Sequence, residues 1–188
     1  MQPLILRLSQ SGQPLAWIDW QDAVLLYTKQ RVAWTLGENS YRFYGGINRL
    51  KQSRSYLDID SIVAAKGIVK DKNYRITPLL TNRELFRRDR HTCLYCLAEL
   101  PDCNLTRDHL VPISRGGKDV WTNVVTACRR CNQHKADSLL QESNLKLYAV
   151  PYTPNYAEWL ILRNRNLTAD QMEFLKARCP EERQHLFS

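Results

Sequence analysis

Two Cys-x-x-Cys pairs, Cys93-Leu94-Tyr95-Cys96 and Cys128-Arg129-Arg130-Cys131, constrain this chain more than any other feature. Each such turn presents two thiolates to one point, and four thiolates suit a tetrahedral zinc ion. A redox dithiol explains one pair but not two. A four-sulfur site leaves no open position on the metal, so its role is structural. It ties the segment ahead of residue 93 to the helix that follows residue 131. The metal reading goes with a reducing compartment. The start of the chain, Met1-Gln2-Pro3-Leu4-Ile5-Leu6-Arg7, lacks the basic n-region and long apolar h-region of a signal peptide. No apolar run approaches the roughly 20 residues that span a bilayer. A cytoplasmic protein with no membrane partner is expected. Cys103 is then a free thiol, and Cys179 closes the last helix without ligand duty.

The segment between the pairs is rich in polar side chains. Leu105 to Val111 reads as a strand broken by Pro112, and a bend there lets the adjacent Asp108 and His109 reach one site. Ser114-Arg115-Gly116-Gly117 reads as a tight loop. Asn123 opens a second short strand, Val124 to Ala127. Asn132 falls in the first turn of a helix expected to continue to about Leu140. Upstream, Thr81 and Glu84 form a capping-box pattern, which predicts a helix to about Asp89 that delivers the chain to Cys93.

The flanks are less specific. Residues 3–8 read as a strand, and Asp19 as the N-cap of a helix with Asp22 three positions on. Arg31 to Leu36 and Tyr41 to Tyr44 read as two strands split by Gly37-Glu38-Asn39-Ser40. Asn155 to Arg163 reads as a helix, and Thr168 with Gln171 opens another that stops before Pro180. The expected division is residues 1–80 as an N-terminal α+β unit, DNA-binding or oligomerising, residues 81–142 as the core, and residues 143–188 as a helical extension. The formal net charge of +8 favours an anionic partner, with nucleic acid first. Arg49, Lys51, Arg54, Lys66, Lys70 and Lys72 are the phosphate-contact candidates of the first half. Most of the Trp side chains are read as core.

The order Cys-x-x-Cys, Asp-His-x-x-Pro, Gly-Gly, Asn, Cys-x-x-Cys-Asn-x-x-Lys resembles the HNH endonuclease family, over about residues 81–140. The resemblance implies an α+β fold with a ββα-metal core, here braced by zinc on Cys93, Cys96, Cys128 and Cys131. It implies a metal-dependent DNA endonuclease that leaves 5′-phosphate and 3′-hydroxyl ends on double-stranded DNA. Within it His109 is the general base and Asn123 orients it through its side-chain or backbone carbonyl. Asp108 and Asn132 hold one Mg²⁺ or Mn²⁺ through oxygen. Arg129, Arg130, Lys135 and Arg115 clamp phosphates. Asn132 stands where the family name expects His, as in some similar members. Two other readings stay open: a zinc-braced DNA-binding module, and an accessory nuclease subunit of a defence or mobile-element complex. A homodimer is the symmetric way to set two single-strand cutters on opposite strands.

Overall fold

The computed structural model describes residues 3–50, 52–67, 77–164 and 166–187. Lys51, Lys70 and Lys72, three of the phosphate-contact candidates, lie outside the described residues. The chain divides into two units: Met1–Ile76 with Tyr156–Ser188, and Thr77–Asn155. The division therefore differs from three consecutive segments. The C-terminal helices share their apolar core with the N-terminal strands.

In the first unit, β1 (Ile5–Leu8), β2 (Pro14–Ile18), β3 (Val32–Asn48) and β4 (Ser53–Ala65) form one sheet in the order β2-β1-β4-β3. The β1–β4 pair is parallel and the others are antiparallel. A parallel central pair wants cover on both faces, and the side chains divide by the period of two that a strand imposes. Ile5, Ile59 and Val63 pack with Ile18 and Ala23, the last from α1 (Trp20–Thr28). Leu6, Leu8, Ile62 and Ala64 pack with Leu160, Ile161 and Leu175. These come from α4 (Tyr156–Arg163) and α5 (Ala169–Lys176). This two-sided burial explains why Ile5–Leu8 is apolar almost throughout. Buried Gln171 stitches α5 to the sheet by donating from Nε2 to Leu4 O and Ser61 O, both at 2.9 Å.

The caps follow the sequence. Asp19 accepts from Asp22 N at 2.8 Å, and Thr168 with Gln171 forms a full capping box. The expected break at Gly37–Ser40 does not occur. β3 runs unbroken for 17 residues, and its register against β4 shifts between Leu36 and Ser40 and again between Tyr44 and Ile47. Glycines and polar residues here make bulges, which absorb extra residues without ending the strand.

The second unit contains α2 (Asn82–Arg88), β5 (Leu105–His109), β6 (Val124–Cys128) and α3 (Arg129–Lys135). Thr81 Oγ1 caps α2 by accepting from Glu84 N at 3.3 Å. β5 and β6 are antiparallel, with Asp108 opposite Val125 and His109 opposite Val124. Helix α3 stops at Lys135, short of the expected Leu140, because Ala136 turns to φ 47°. A buried hub joins α2 to β6. The Arg88 guanidinium, 4% exposed, donates to Trp121 O and Val124 O at 2.8 Å and to both oxygens of Asp89. Asp89 Oδ2 in turn accepts from Thr126 N at 2.8 Å. This pair is fully hydrogen-bonded, the condition on which buried charge is tolerated.

Candidate metal centre and active site

The four cysteines of the two pairs converge. Their sulfurs all lie within 4.8 Å of one another, and Cys96 Sγ is 4.0 Å from Cys128 Sγ. Disulfide sulfurs would sit near 2 Å. Thiolates at about 2.3 Å from one ion in a tetrahedron stand just under about 4 Å apart. The cluster therefore fits a metal ion and suits structural zinc. Cys128 is the N-cap of α3, and its sulfur accepts from Cys131 N at 3.4 Å. One helix start thus delivers both ligands of the second pair. Leu94, Tyr95, Val125 and Ala127 pack around the cluster.

Beside this cluster a polar cleft of about 230 Å³ is lined by Arg107, Asp108, His109, Asn132 and Asp137, with Pro112 to Ser114 on its rim. Asp108 and His109 are neighbours on β5 and so point apart at the start, yet both line this cleft. Asp108 is 4% exposed. Its Oδ2 accepts from the Tyr95 hydroxyl, and its Oδ1 accepts from Lys135 Nζ at 3.1 Å. Burial, and then the bond to this carboxylate, push the Tyr95 phenol up. Asn132 donates from Nδ2 to Thr106 Oγ1 at 2.9 Å. Asn132 lines the cleft together with the carboxylates of Asp108 and Asp137. Carboxylate and amide oxygens are the ligand types that a hard divalent cation takes.

Among the described residues the His109 imidazole has one hydrogen-bond partner, and it is a residue that no sequence motif marks. Its Nε2 lies 2.9 Å from Asp119 Oδ1. Arg107 Nη1 donates to both Asp119 oxygens, at 2.7 and 2.8 Å. Burial alone would raise the Asp119 carboxyl, but the hydrogen bonds from Arg107 and His109 outweigh it and hold the group below its ordinary range. An anionic Asp119 at Nε2 fixes the tautomer with the proton on Nε2 and the lone pair on Nδ1. No sequence pattern marked Asp119, which sits in the loop after Gly116-Gly117.

Asn123 does not touch the imidazole. Its side chain brackets the loop: Nδ2 donates to Val111 O at 3.0 Å and Lys118 O at 2.9 Å, and Oδ1 accepts from Val111 N at 3.0 Å. Its backbone carbonyl accepts from Leu110 N at 2.9 Å. The hydrogen-bond partner of the imidazole is Asp119, while Asn123 ties together the loop that carries Asp119. The same loop explains Gly117. A Cβ there would stand 1.8 Å from Val111 O, so no other residue fits.

The expected phosphate clamps separate. Lys135 is fully buried and donates to His109 O at 2.6 Å as well as to Asp108. It lies four residues after Cys131, so it shares the inward face of α3, and no phosphate reaches it. Arg129 and Arg130 are exposed, and Arg129 donates to Cys103 O at 2.9 Å. Arg115 pairs with Glu142 at 2.8 Å, both about half exposed. Such surface pairs hold weakly and exchange partners readily.

Residues 93–147 match the family model described as HNH endonuclease. The resemblance carried by the cysteine pairs and the polar segment between them is thereby borne out, over a segment of the chain. No curated protein matches the chain. Among solved structures it is similar to the Type II-C Cas9 enzyme from Actinomyces naeslundii, at 18% identity and a TM-score of 0.27. That likeness covers 57% of this chain and 17% of the other, and so low a score supports no functional conclusion. Among the described residues no helix is long and apolar enough to cross a membrane.

Proposed function

We propose that this chain is a metal-dependent endonuclease that hydrolyses phosphodiester bonds of DNA, with residues 105–135 as a ββα-metal core. The observation that carries the reading is the His109–Asp119 contact of 2.9 Å on a polar cleft shared with Asp108 and Asn132. His109 takes a proton from water at Nδ1, while Asp119 holds Nε2–H and stabilises the imidazolium that results. Asp108 and Asn132 are the residues that would hold Mg²⁺ or Mn²⁺. Such an ion, when bound, stabilises charge on the attacked phosphate and on the leaving oxygen. Lys135 holds the Asp108 carboxylate in place through its 3.1 Å contact with Oδ1. Arg129 and Arg130, exposed in the first turn of α3, attract the phosphate backbone, and Arg115 adds to them once released from Glu142. The four-cysteine site holds β6 and α3 against the segment at Cys93.

The test is cleavage of supercoiled plasmid by the purified protein with Mg²⁺, with Mn²⁺ and with no divalent ion. Nicked or linear product only with added divalent ion is the expected result. Equal cleavage without it contradicts the cation site. Binding of duplex without cleavage under any of these conditions favours the zinc-braced binding module instead.

A further inference from the structure

The β3–β4 hairpin extends well past the sheet that roots it. Strand β4 pairs with β1 only over Ile62–Ala64, whereas its pairing with β3 continues out to Asn48 opposite Ser53. Residues 41–48 alone reach roughly 25 Å at strand rise. Opposite residues in an antiparallel ribbon share a face, and the two faces of this arm differ. Phe43 and Leu57 form one face and pack onto the core around α1, with Phe43 stacked on Trp20 at 5.2 Å and 10°. The other face carries Arg42, Tyr44, Tyr56 and Arg54. The Arg42 guanidinium lies 4.4 Å over the Tyr56 ring, and that of Arg54 lies 5.2 Å over Tyr44. Tyr44 and Tyr56 are each 59% exposed.

Charge says what such a face would meet. No Asp or Glu occurs from Tyr41 to Leu57, while Arg42, Arg49, Lys51 and Arg54 do. Asp58 at the base is held by Arg42 in a two-point pair at 2.7 and 2.9 Å. The bulge carbonyls are also satisfied, since Arg54 Nε donates to Gly45 O and Ser55 Oγ donates to Gly46 O. Arg42 is therefore held by the Tyr56 ring and the Asp58 carboxylate, and Arg54 by the Tyr44 ring and Gly45 O. The tip adds Ile47 and Leu50, 72% and 97% exposed, beside Arg49.

We propose that this arm is a duplex-DNA grip, a two-stranded ribbon that enters a groove with its Arg–Tyr face toward the phosphates. It rests on the reading that the substrate is DNA. A major groove about 12 Å wide admits a two-stranded ribbon. Rings that already carry a guanidinium on one face suit a groove wall better than stacking with bases of a single strand.

The experiment uses the full chain, a fluorescent duplex and no added divalent ion, and reads affinity by anisotropy across a salt series. Arg49→Glu with Arg54→Glu is compared with wild type, and Arg49→Gln with Arg54→Gln serves as the gentler variant. Circular dichroism and zinc content check that each is folded. The expected result is binding roughly tenfold weaker and a log–log salt slope shallower by about two, one unit per lost phosphate contact. Unchanged affinity and slope in a folded variant overturn the proposal. A change in sedimentation without a change in duplex binding also overturns it, in favour of a second copy of the chain on this face. Because cleavage is not the readout, an inactive cleft would leave this result standing.

Discussion

His109 has an acid behind it on a neighbouring loop. Asp119 is half exposed, so its influence is smaller than that of a buried carboxylate in a catalytic triad. Asp119→Asn removes the charge while keeping the size. Steady-state cleavage is expected to fall roughly ten- to a hundredfold in kcat, with duplex affinity unchanged. An equal loss of affinity would make Asp119 a DNA contact instead. Lys135 belongs to the same scale. Its ammonium is buried against Asp108, and removing one partner leaves the other charge uncompensated. Lys135→Ala should cost about 3 kcal/mol in denaturant unfolding. A change within about 0.5 kcal/mol, the range of an ordinary surface substitution, would contradict its buried role.

At the scale of elements, two fastenings stand out. The first is the four-cysteine cluster, through which the start of α3 is tied to the segment at Cys93. Zinc binding and folding are one equilibrium in such sites. Chelation, or Cys128→Ser, should therefore abolish the cooperative unfolding transition of residues 77–155 as seen by hydrogen exchange. Less than about one zinc per chain in purified protein would contradict the site. The second is Asp170 at the start of α5. It accepts from Ser61 Oγ at 2.5 Å and from Asn39 N at 3.3 Å, and also from Thr168 Oγ1. Burial would raise its carboxyl, but these hydrogen bonds win and bring it to about 2, from an ordinary 3.8. A depressed pKa means that the folded state holds the ionised form more firmly. The contribution is complete above the ordinary value and is lost as pH falls through about 2. Urea unfolding read on α5 amides should show Asp170→Asn less stable than wild type at pH 6, with the gap closing toward pH 2. A gap that stays constant with pH would contradict the assignment.

What was legible in the sequence follows from how local each signal is. Asp19, Thr81 and Thr168 announced their helices because a cap needs only residues three apart. The cysteine pairs announced their convergence because sulfur has few other uses in pairs. The bulge at Gly37–Ser40 read as a break, since a glycine followed by polar residues looks alike in a turn and in a bulge, and only pairing with β4 decides. Lys135 and Asp119 were misjudged or missed for the same reason. The first is buried by the inward pitch of α3 and the second is brought to His109 by a loop closed at Gly117, both matters of tertiary contact.

For the whole molecule, the two units call for separate tests: grip by the β3–β4 arm of one, and chemistry in the cleft of the other. Neither proposed role is visible from the net charge of +8, which favours an anionic partner without locating it on the chain. The proposed chemistry turns on one imidazole, that of His109. The deciding measurement is plasmid cleavage with Mg²⁺ or Mn²⁺, comparing wild type with His109→Ala at equal zinc content and equal duplex affinity. A fall of about 10² to 10⁴ in rate is predicted for the loss of a general base. Equal cleavage by the two proteins would contradict it.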